Sequence, residues 1–308
     1  MNVTLVGYTG FVGSNISLQC DIIDRKYNSK NIEDAYGTNP DILIYAGVRA
    51  EKFLANKDPK KDLENIKEAF DNIKKINPKK IVLISTIDVY KNPINVDENN
   101  EIDTENLHAY GLNRYYLEKW VEESFDDYLI VRLPGLYGEN IKKNFIYDLI
   151  NIIPSMLIED KFNELCKKDD YIKNYYNKQD NGFYKCKDIN EEERKNLKKY
   201  FISIGFSALN FTDSRGRFQF YNLEYLWSHI EIALNKNIKV LNIATEPVTV
   251  NEIYKSIYDK DFYNEVAKVV PNYDFKTVNC DVYNGANGYI FDKEFVIKDI
   301  KKFINNKL

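Results

Sequence analysis

Three glycines near the start of the chain have the spacing of a phosphate-binding turn. The apolar residues 3–6 predict a buried β-strand, and Gly7, Gly10 and Gly13 follow it directly. A helix predicted over 11–18 would aim its unpaired backbone N–H groups and the positive end of its dipole at one place. A pyrophosphate is stabilised at such a place, and glycine lets it approach the backbone closely. The turn therefore predicts a dinucleotide site.

Two tyrosine–cation pairs could move a proton. Tyr110 and Arg114, and also Tyr115 and Lys119, stand four residues apart in a segment predicted to be helical over 109–124. A free phenol has a pKa of about 10, and a cation one helical turn away should lower that pKa toward neutrality by favouring the phenolate. Since five residues turn a side chain by about 140° around a helix, both tyrosines cannot face one site.

Strands and helices alternate along the first half of the chain. Strands are predicted over 41–47, 80–85 and 128–133, and helices over 62–76 and 109–124. A later helix over 223–234 and a strand over 240–244 continue the pattern. Such alternation is typical of an α/β fold in which helices cover both faces of a parallel sheet.

Residues 151–215 differ from the rest in composition. They are rich in Lys, Asp, Asn and Tyr and poor in Val, and they are expected to form short helices with a loop around 177–182. Two interpretations remain open: a cap over the substrate side, or a solvated helical decoration.

Four segments resemble the extended short-chain dehydrogenases/reductases, in the branch of epimerases and dehydratases that act on nucleotide sugars. They are the turn at 7–13, residues 46–50 behind a strand, residues 83–90 at a strand end, and residues 109–114. The resemblance covers most of the chain apart from 151–215. It implies a Rossmann-type doubly wound parallel sheet, with an NAD(P)-binding domain over 1–138. A smaller, mostly C-terminal substrate-binding region over 139–308 would contain the helical insertion at about 151–215. Some of its helices and strands would also belong to the first domain.

The resemblance also implies roles for the residues of the predicted site. Tyr110 would be the acid/base of a hydride-transfer enzyme, Thr86 would hold the substrate oxygen, and Arg114 takes the position of the family's lysine. Arginine keeps its charge but does not readily pass on a proton as lysine can. Gly111 behind Tyr110 favours this register over Tyr115.

Asp88 bears on the type of reaction. In the dehydratases of this family the threonine is followed by an acid and a base, and here those positions are Ile87 and Asp88. Epimerisation or carbonyl reduction on a nucleotide-linked sugar is therefore favoured, with a dehydratase or decarboxylase that uses Asp88 as a weaker alternative. A dinucleotide-binding sensor or scaffold that has lost catalysis is the alternative from another class, since Arg114 replaces the lysine.

The cofactor is expected to be NAD or NADP, and the choice between them is open. Residues 25–30 could hold a 2′-phosphate, whereas Asp21 or Asp24 could hold ribose hydroxyls. The second strand–helix unit is expected to be short. The resemblance assigns these further residues to the cofactor: Thr9, Phe11, Val12, Asn28, Ser29, Lys30, Asn31, Ile32, Ala46, Gly47, Arg49, Ser85 and Pro134. It assigns Lys143, Asn144 and Arg217 to the substrate.

Composition excludes several other classes of function. A net charge of −4 over 308 residues gives no excess of positive charge for binding nucleic acid. No apolar run has membrane-spanning length, and the first strand begins beside Met1, so a cytoplasmic protein without a membrane partner is expected. Only two histidines are present, which excludes a histidine-rich metal site. A homodimer is the expected assembly.

Overall fold

Parallel strands form the centre of the computed structural model, which describes residues 2–307. The strands are β1 Val3–Val6, β2 Ile23–Tyr27, β3 Ile42–Tyr45, β4 Lys80–Thr86, β5 Tyr128–Leu133, β6 Gly135–Tyr137, β7 Met156–Ile158, β8 Tyr176–Lys178, β9 Phe183–Cys186, β10 Arg217–Phe218, β11 Phe220–Asn222, β12 Val240–Asn242 and β13 Val248–Thr249. The helices are α1 Phe11–Gln19, α2 Lys52–Lys57, α3 Pro59–Ile76, α4 Ala109–Ser124, α5 Phe145–Ile150, α6 Glu159–Cys166, α7 Glu191–Ser203, α8 Leu226–Asn235, α9 Val250–Tyr258 and α10 Lys293–Asn305.

The central sheet has the order β12-β5-β4-β3-β1-β2, and every neighbouring pair is parallel. The chain passes from β1 to β2 on one side and then returns to β3 on the other side of β1. This reversal opens a crevice at the carboxyl ends of β1 and β3, the place where α/β sheets bind ligands. The predicted α/β fold with a parallel sheet is confirmed.

Alternate side chains of the inner strands pack into two apolar layers. Ile42 and Ile44 of β3 face one layer, which α1 and α8 cover, whereas Leu43 and Tyr45 face the other layer, which α3 and α4 cover. Burial of each aliphatic side chain contributes roughly 1.5–3 kcal/mol, so the two layers hold the strand ends in fixed positions.

The connection from β2 to β3 is short. It contains one turn of 3₁₀ helix at Ile32–Ala35 where a doubly wound fold usually has a full helix. The expectation of a shortened second unit is confirmed.

Residues beyond β6 contribute to more than one part of the molecule. β6 pairs with β11, and α5, α9 and α10 surround a third apolar cluster. β12 returns to the edge of the central sheet beside β5.

The segment 151–215 forms a small unit with its own core. Besides helices it contains the antiparallel sheet β7-β9-β8, so the expectation of helices and a loop alone is wrong. Its strands are only three or four residues long, too short to show a clear periodicity, and β8 and β9 interrupt their aromatic residues with lysine. Phe162 stacks on Tyr184 with ring centroids 3.8 Å apart, and this contact joins α6 to β9.

In the part of the chain that the structure describes, no helix combines the length and apolarity needed to cross a membrane.

Candidate active site

The glycine turn brings three strand ends together. Gly7 has a φ of +91°, and a Cβ atom there would lie 2.4 Å from the carbonyl oxygen of Ala46. A Cβ atom on Gly13 would lie 2.2 Å from the carbonyl oxygen of Gly7. The amide of Gly7 also donates to the carbonyl of Tyr27, over 2.8 Å. Glycine at 7 and 13 is therefore required for the chain to close this turn.

The amino terminus of α1 opens into the same crevice. Gly10 is its N-cap and has no side chain with which to satisfy the first amides of the helix. Thr9 is exposed beside it, while Phe11 and Val12 pack against the core below. The free amides and the helix dipole favour an anion at this point.

The loop behind β2 borders the crevice. The side chain of Asn31 accepts from the amide of Asn28 over 2.8 Å, and the side chain of Asn28 accepts from the amide of Lys30 over 2.9 Å. Ser29 and Lys30 are exposed, and Ile32 begins the 3₁₀ turn that follows. A hydroxyl and a cation are thus presented at the carboxyl end of β2.

Asp21 and Asp24, the acidic residues considered for NAD, lie at the other edge of the sheet. Asp24 accepts from the amide of Val3 over 2.7 Å, which places it at the amino edge of the sheet, opposite the glycine turn. Asp21 precedes β2 and lies toward the same edge. Arg25 lines a small depression with Asp24 there. Asp21 and Asp24 are therefore wrong as candidates for the cofactor ribose, and Arg25 is wrong as a candidate for a 2′-phosphate, because the crevice lies at the carboxyl ends of the parallel strands.

Gly111 brings the start of α4 against the end of β4. A Cβ atom at this position would lie 2.0 Å from the carbonyl oxygen of Asp88, so only glycine permits the contact. The imidazole Nδ1 of His108 caps the helix by accepting from the amide of Gly111 over 3.0 Å. The amide of Tyr110 donates to the side chain of Asn56 over 3.0 Å. Tyr110 is in this way fixed beside the strand end that carries Thr86.

Tyr110 is buried, and its pKa is raised above 10. Burial is the largest cause, while Arg114 and a hydrogen bond with Thr86 oppose it and the carboxylate of Asp88 adds to it. The expectation that Arg114 would lower this pKa toward neutrality is wrong, because burial outweighs its charge. The phenol is held in its protonated form.

Arg114 forms a buried ion pair. One guanidinium nitrogen lies 2.6 Å from the carboxylate of Asp62, and the side chains are 6% and 9% exposed. The other nitrogen donates to the carbonyl of Arg49 over 2.7 Å, and the guanidinium carbon stands 3.9 Å from the centroid of the Tyr110 ring. Arg114 therefore ties α4 to α3 and to the loop behind β3, with its charge balanced by Asp62.

The alternative pair lies on other parts of α4. Tyr115 packs against the apolar cluster that contains Ile102 and Leu107, and Lys119 forms an ion pair of 2.7 Å with Glu122 at the surface.

A lysine that sequence reasoning missed stands beside the site. Lys52, the first residue of α2, forms an ion pair with Asp88 whose Nζ–Oδ1 distance is 2.8 Å. The hydroxyl of Tyr273 donates to the same carboxylate oxygen over 3.2 Å and lies 3.4 Å from Nζ of Lys52. Tyr273 is 185 residues distant from Asp88 in sequence, so no local pattern could have joined these residues.

Ser85 belongs to a buried polar network behind the site. Its hydroxyl donates to Glu118 over 2.5 Å, and Glu118 is fully buried in an ion pair with Arg132. Arg132 in turn donates to the hydroxyl of Tyr90 over 2.9 Å. This network fixes the end of β4 against α4 and β5.

The remaining predicted residues lie around the mouth of the crevice. Gly47 and Arg49 are exposed in the loop behind β3, and Pro134 joins β5 to β6. Lys143 donates to the carbonyl of Ala50 over 2.6 Å and so bridges that loop to the C-terminal region.

Two of the substrate candidates are engaged within the protein. The side chain of Asn144 caps α5, accepting from two amides and donating to the carbonyl of Leu136. Arg217 lies 3.3 Å from the carboxylate of Asp274 and is 40% exposed. Of the two, Arg217 keeps donors that face solvent.

The insertion reaches this side of the molecule. Phe183 of β9 contacts Phe53 of α2 edge to face, with centroids 6.2 Å apart. Phe53 directly follows Lys52, so the hairpin of β8 and β9 borders the mouth of the crevice.

No family model and no curated protein matches the sequence. Solved structures do match. A dTDP-4-dehydrorhamnose reductase of Bacillus anthracis in complex with NADP is 16% identical, with a TM-score of 0.65 over 99% of each chain. The corresponding reductase of Yersinia enterocolitica is 13% identical, with a TM-score of 0.66 over 100% of this chain and 99% of the other.

A UDP-glucose 4-epimerase of Thermotoga maritima with UDP-glucose is 13% identical, with a TM-score of 0.62 over 99% of this chain and 98% of the other. This chain shares their fold. It is the fold implied by the resemblance to the extended short-chain dehydrogenases/reductases, and the match spans the whole chain.

Proposed function

We propose that the protein is an NAD(P)-dependent enzyme that reduces or epimerises a nucleotide-linked sugar, with Tyr110 as its acid/base. One observation carries this proposal: the fold brings the glycine turn and the pair of Tyr110 and Thr86 to the same edge of one parallel sheet. The similar proteins include an NADP-bound reductase and an epimerase bound to UDP-glucose, which supports the same class of chemistry.

The residues present fit a dinucleotide. The turn of Gly7 to Gly13 and the start of α1 would hold the pyrophosphate, and the loop of Asn28 to Ile32 would border the adenosine. Ala46 to Arg49, Ser85 and Pro134 would line the remaining length of the cofactor. When bound, its nicotinamide would supply the hydride donor or acceptor.

NADP is the better fit of the two cofactors. The carboxyl end of β2 presents Ser29 and Lys30 to solvent, and Asp24 stands at the opposite edge of the sheet. A hydroxyl and a cation favour a 2′-phosphate, whereas NAD sites use a carboxylate at this place.

The state of Tyr110 favours reduction of a carbonyl. A phenol that burial keeps protonated is ready to donate its proton to a developing alkoxide. Thr86 would hold the same oxygen by a hydrogen bond. Oxidation of an alcohol requires the phenolate, which burial makes costly.

Asp88 is poorly suited to remove water. Its carboxylate is paired with Lys52, and its neighbour Ile87 is buried and apolar. A dehydratase needs an acid and a base side by side. Dehydration is therefore a weaker hypothesis than reduction or epimerisation.

The substrate would lie between the loop behind β3, the hairpin at Phe183 and the C-terminal region. Lys143, which is bound to the carbonyl of Ala50 in that loop, and Arg217 are cations that would suit a diphosphate. We infer that the insertion caps this side, because Phe183 reaches Phe53.

A second candidate function rests on Arg114. Because its guanidinium is committed to Asp62, it has less capacity to hold a nicotinamide ribose. A cofactor-binding sensor without turnover would tolerate this, and it would bind NADPH without converting any sugar nucleotide.

The test is turnover by matched tyrosine variants. Binding of NADPH is measured by fluorescence, and its oxidation is followed with dTDP-4-dehydrorhamnose and with UDP-linked keto sugars. We expect Tyr110→Phe to lower kcat by at least about 100-fold, the usual size of an acid/base contribution, with little change in NADPH affinity.

The control is Tyr115→Phe, which should keep wild-type turnover. Full activity of Tyr110→Phe, or a loss confined to Tyr115→Phe, would refute the assignment. NADPH binding without turnover of any of these sugars would favour the sensor.

A further inference from the structure

Tyr110 lacks a free cation at the position where its sequence motif places one. Arg114 stacks on the face of the Tyr110 ring, 3.9 Å from the centroid, and its charge is balanced by Asp62 at 2.6 Å. Its side chain is 6% exposed, so water has little access to it. A guanidinium also stays protonated across the working pH range. Arg114 therefore cannot exchange a proton with the phenol.

Lys52 is the cation that does reach the site from solvent. Its side chain is 41% exposed, and its Nζ lies 2.8 Å from Asp88, whose backbone touches Gly111 directly behind Tyr110. Burial raises the pKa of Tyr110, and the charge of Lys52 is one of the effects that oppose this rise; burial lowers the pKa of His108, and the charge of Lys52 adds to that lowering. One partly exposed lysine thus acts by its charge on both titratable groups at the start of α4.

Asp88 and Tyr273 hold Lys52 in place. Nζ of Lys52, the carboxylate of Asp88 and the hydroxyl of Tyr273 form a closed triangle with sides of 2.8, 3.2 and 3.4 Å. Three elements distant in sequence meet here, namely α2, the end of β4 and the segment before α10. A surface pair would cost side-chain entropy for little gain, but the partly buried carboxylate and the second hydrogen bond fix this ammonium.

We propose that Lys52, rather than Arg114, is the cation that controls the protonation of Tyr110 and returns its proton after each turnover. In each cycle the hydroxyl of Tyr110 would give its proton to the substrate oxygen and become a phenolate. Nζ of Lys52 would give a proton to that phenolate through intervening water molecules and regain one from solvent. Atoms and charge then balance over the cycle.

The proton affinities of the two groups suit this exchange. The pKa of Lys52 is raised above 10.5, since the attraction of Asp88 and Tyr273 outweighs the opposing effect of burial. The pKa of Tyr110 is raised above 10 mainly by burial. As a class, an ammonium matches a phenol more closely than a guanidinium does, since the ordinary pKa values of lysine and tyrosine are about 10.4 and about 10, whereas that of arginine is above about 12.

The first experiment measures Tyr110 in the cofactor-free protein. Tyrosine labelled with ¹³C at Cζ reports its ionisation by NMR, and the Tyr110→Phe variant assigns the resonance. We expect Lys52→Met to raise the pKa of Tyr110 by about one unit, because the loss of a neighbouring positive charge favours the neutral phenol. Lys52→Arg should leave it unchanged, and so should Lys57→Met at the other end of α2. The same pKa in wild type and Lys52→Met would overturn the proposal.

The second experiment separates charge from proton transfer, and it rests on the proposed function. With NADPH and dTDP-4-dehydrorhamnose, Lys52→Met and Lys52→Arg should both lower kcat by about 10-fold or more, with the KM for NADPH unchanged. Ethylamine in the buffer should restore turnover to Lys52→Ala. An unchanged kcat in Lys52→Arg would overturn the proton return.

The two proposals fail in different ways. A wild-type protein that turns over none of these sugars, but shows the NMR shift, would refute the proposed function and keep Lys52 as the cation that acts on Tyr110. An active wild type whose Tyr110→Phe variant is inactive, with Lys52→Met unaffected in both experiments, would keep the function and reject Lys52.

Discussion

At the scale of single residues, the contacts of a cationic side chain decide its part in the site more than its residue type does. Arg114 occupies the place of a catalytic lysine in the motif, yet its guanidinium is bound to Asp62 and to the carbonyl of Arg49. Lys52 belongs to none of the motifs, yet its ammonium faces the site through Asp88. The partners of a side chain, set by packing, determine which cation is free to act.

The pair of Arg114 and Asp62 gives a prediction on stability. We expect Arg114→Met to lower the free energy of unfolding by about 3–5 kcal/mol, because it leaves the carboxylate of Asp62 buried without its cation. The double variant Arg114→Met/Asp62→Leu should regain most of that loss, since two apolar groups need no charge partner. Urea unfolding at pH 7 measures both variants. Equal stability of Arg114→Met and wild type would show that the pair does not hold α3 to α4.

At the scale of elements, close approach of backbones places the site. Gly13 lets α1 start against the turn at Gly7, and Gly111 lets α4 start against the end of β4. Each contact excludes even a methyl group, so these two glycines are set by geometry. The insertion, in contrast, has its own apolar core and touches the site through Phe183.

The insertion should therefore be removable. Its two ends are adjacent, since the amide of Ala208 donates to the carbonyl of Ile152 over 2.8 Å. We expect replacement of residues 153–207 by a short glycine–serine linker to leave a folded protein that still binds NADPH, because the crevice lies in the central sheet. Turnover should fall, as the cap over the substrate is lost.

Circular dichroism, NADPH fluorescence and the turnover assay measure these effects. The point variant Phe183→Ala serves as a milder test of the same contact. Wild-type turnover by the shortened protein would show that the insertion is a decoration rather than a cap.

At the scale of the whole molecule, the fold matches enzymes that share 13–16% of its residues over nearly the full length of each chain. In this chain the reversal of strand order opens a crevice at the carboxyl ends of β1 and β3. A dinucleotide bound there would contact β1, β2, β3 and β4 at once, so it would stabilise the native state as a whole.

This yields a prediction on the intact protein. We expect NADPH at 100 times its Kd to raise the free energy of unfolding by about 2.7 kcal/mol, as mass action requires. NADH at the same concentration should give a smaller increase, because Lys30 and Ser29 favour a 2′-phosphate. Thermal unfolding with each cofactor measures the difference.

Matched variants test the origin of that difference. Lys30→Met should reduce the preference for NADPH, and Gly13→Ala should abolish the stabilisation by both cofactors. A larger increase with NADH than with NADPH would contradict the assignment of the loop behind β2.

The sequence by itself determined five strands of the central sheet and the glycine turn, but not β2, whose middle residues are charged and exposed. These features depend on neighbouring residues alone. The spacing of apolar residues follows the period of a strand or a helix, and the spacing of glycines follows from the close backbone contacts of a turn. The strands of the insertion were missed, since three or four residues are too few to show an alternating pattern.

Only the tertiary structure decided which charges act at the site. It placed Asp24 at the edge of the sheet opposite the glycine turn and bound Arg114 to Asp62. It also joined Tyr273 to Lys52 across 221 residues and to Asp88 across 185 residues. Burial of Tyr110 then raised the pKa that the motif suggested would fall. Such effects depend on distance and solvent exposure in three dimensions, which spacing along the chain does not encode.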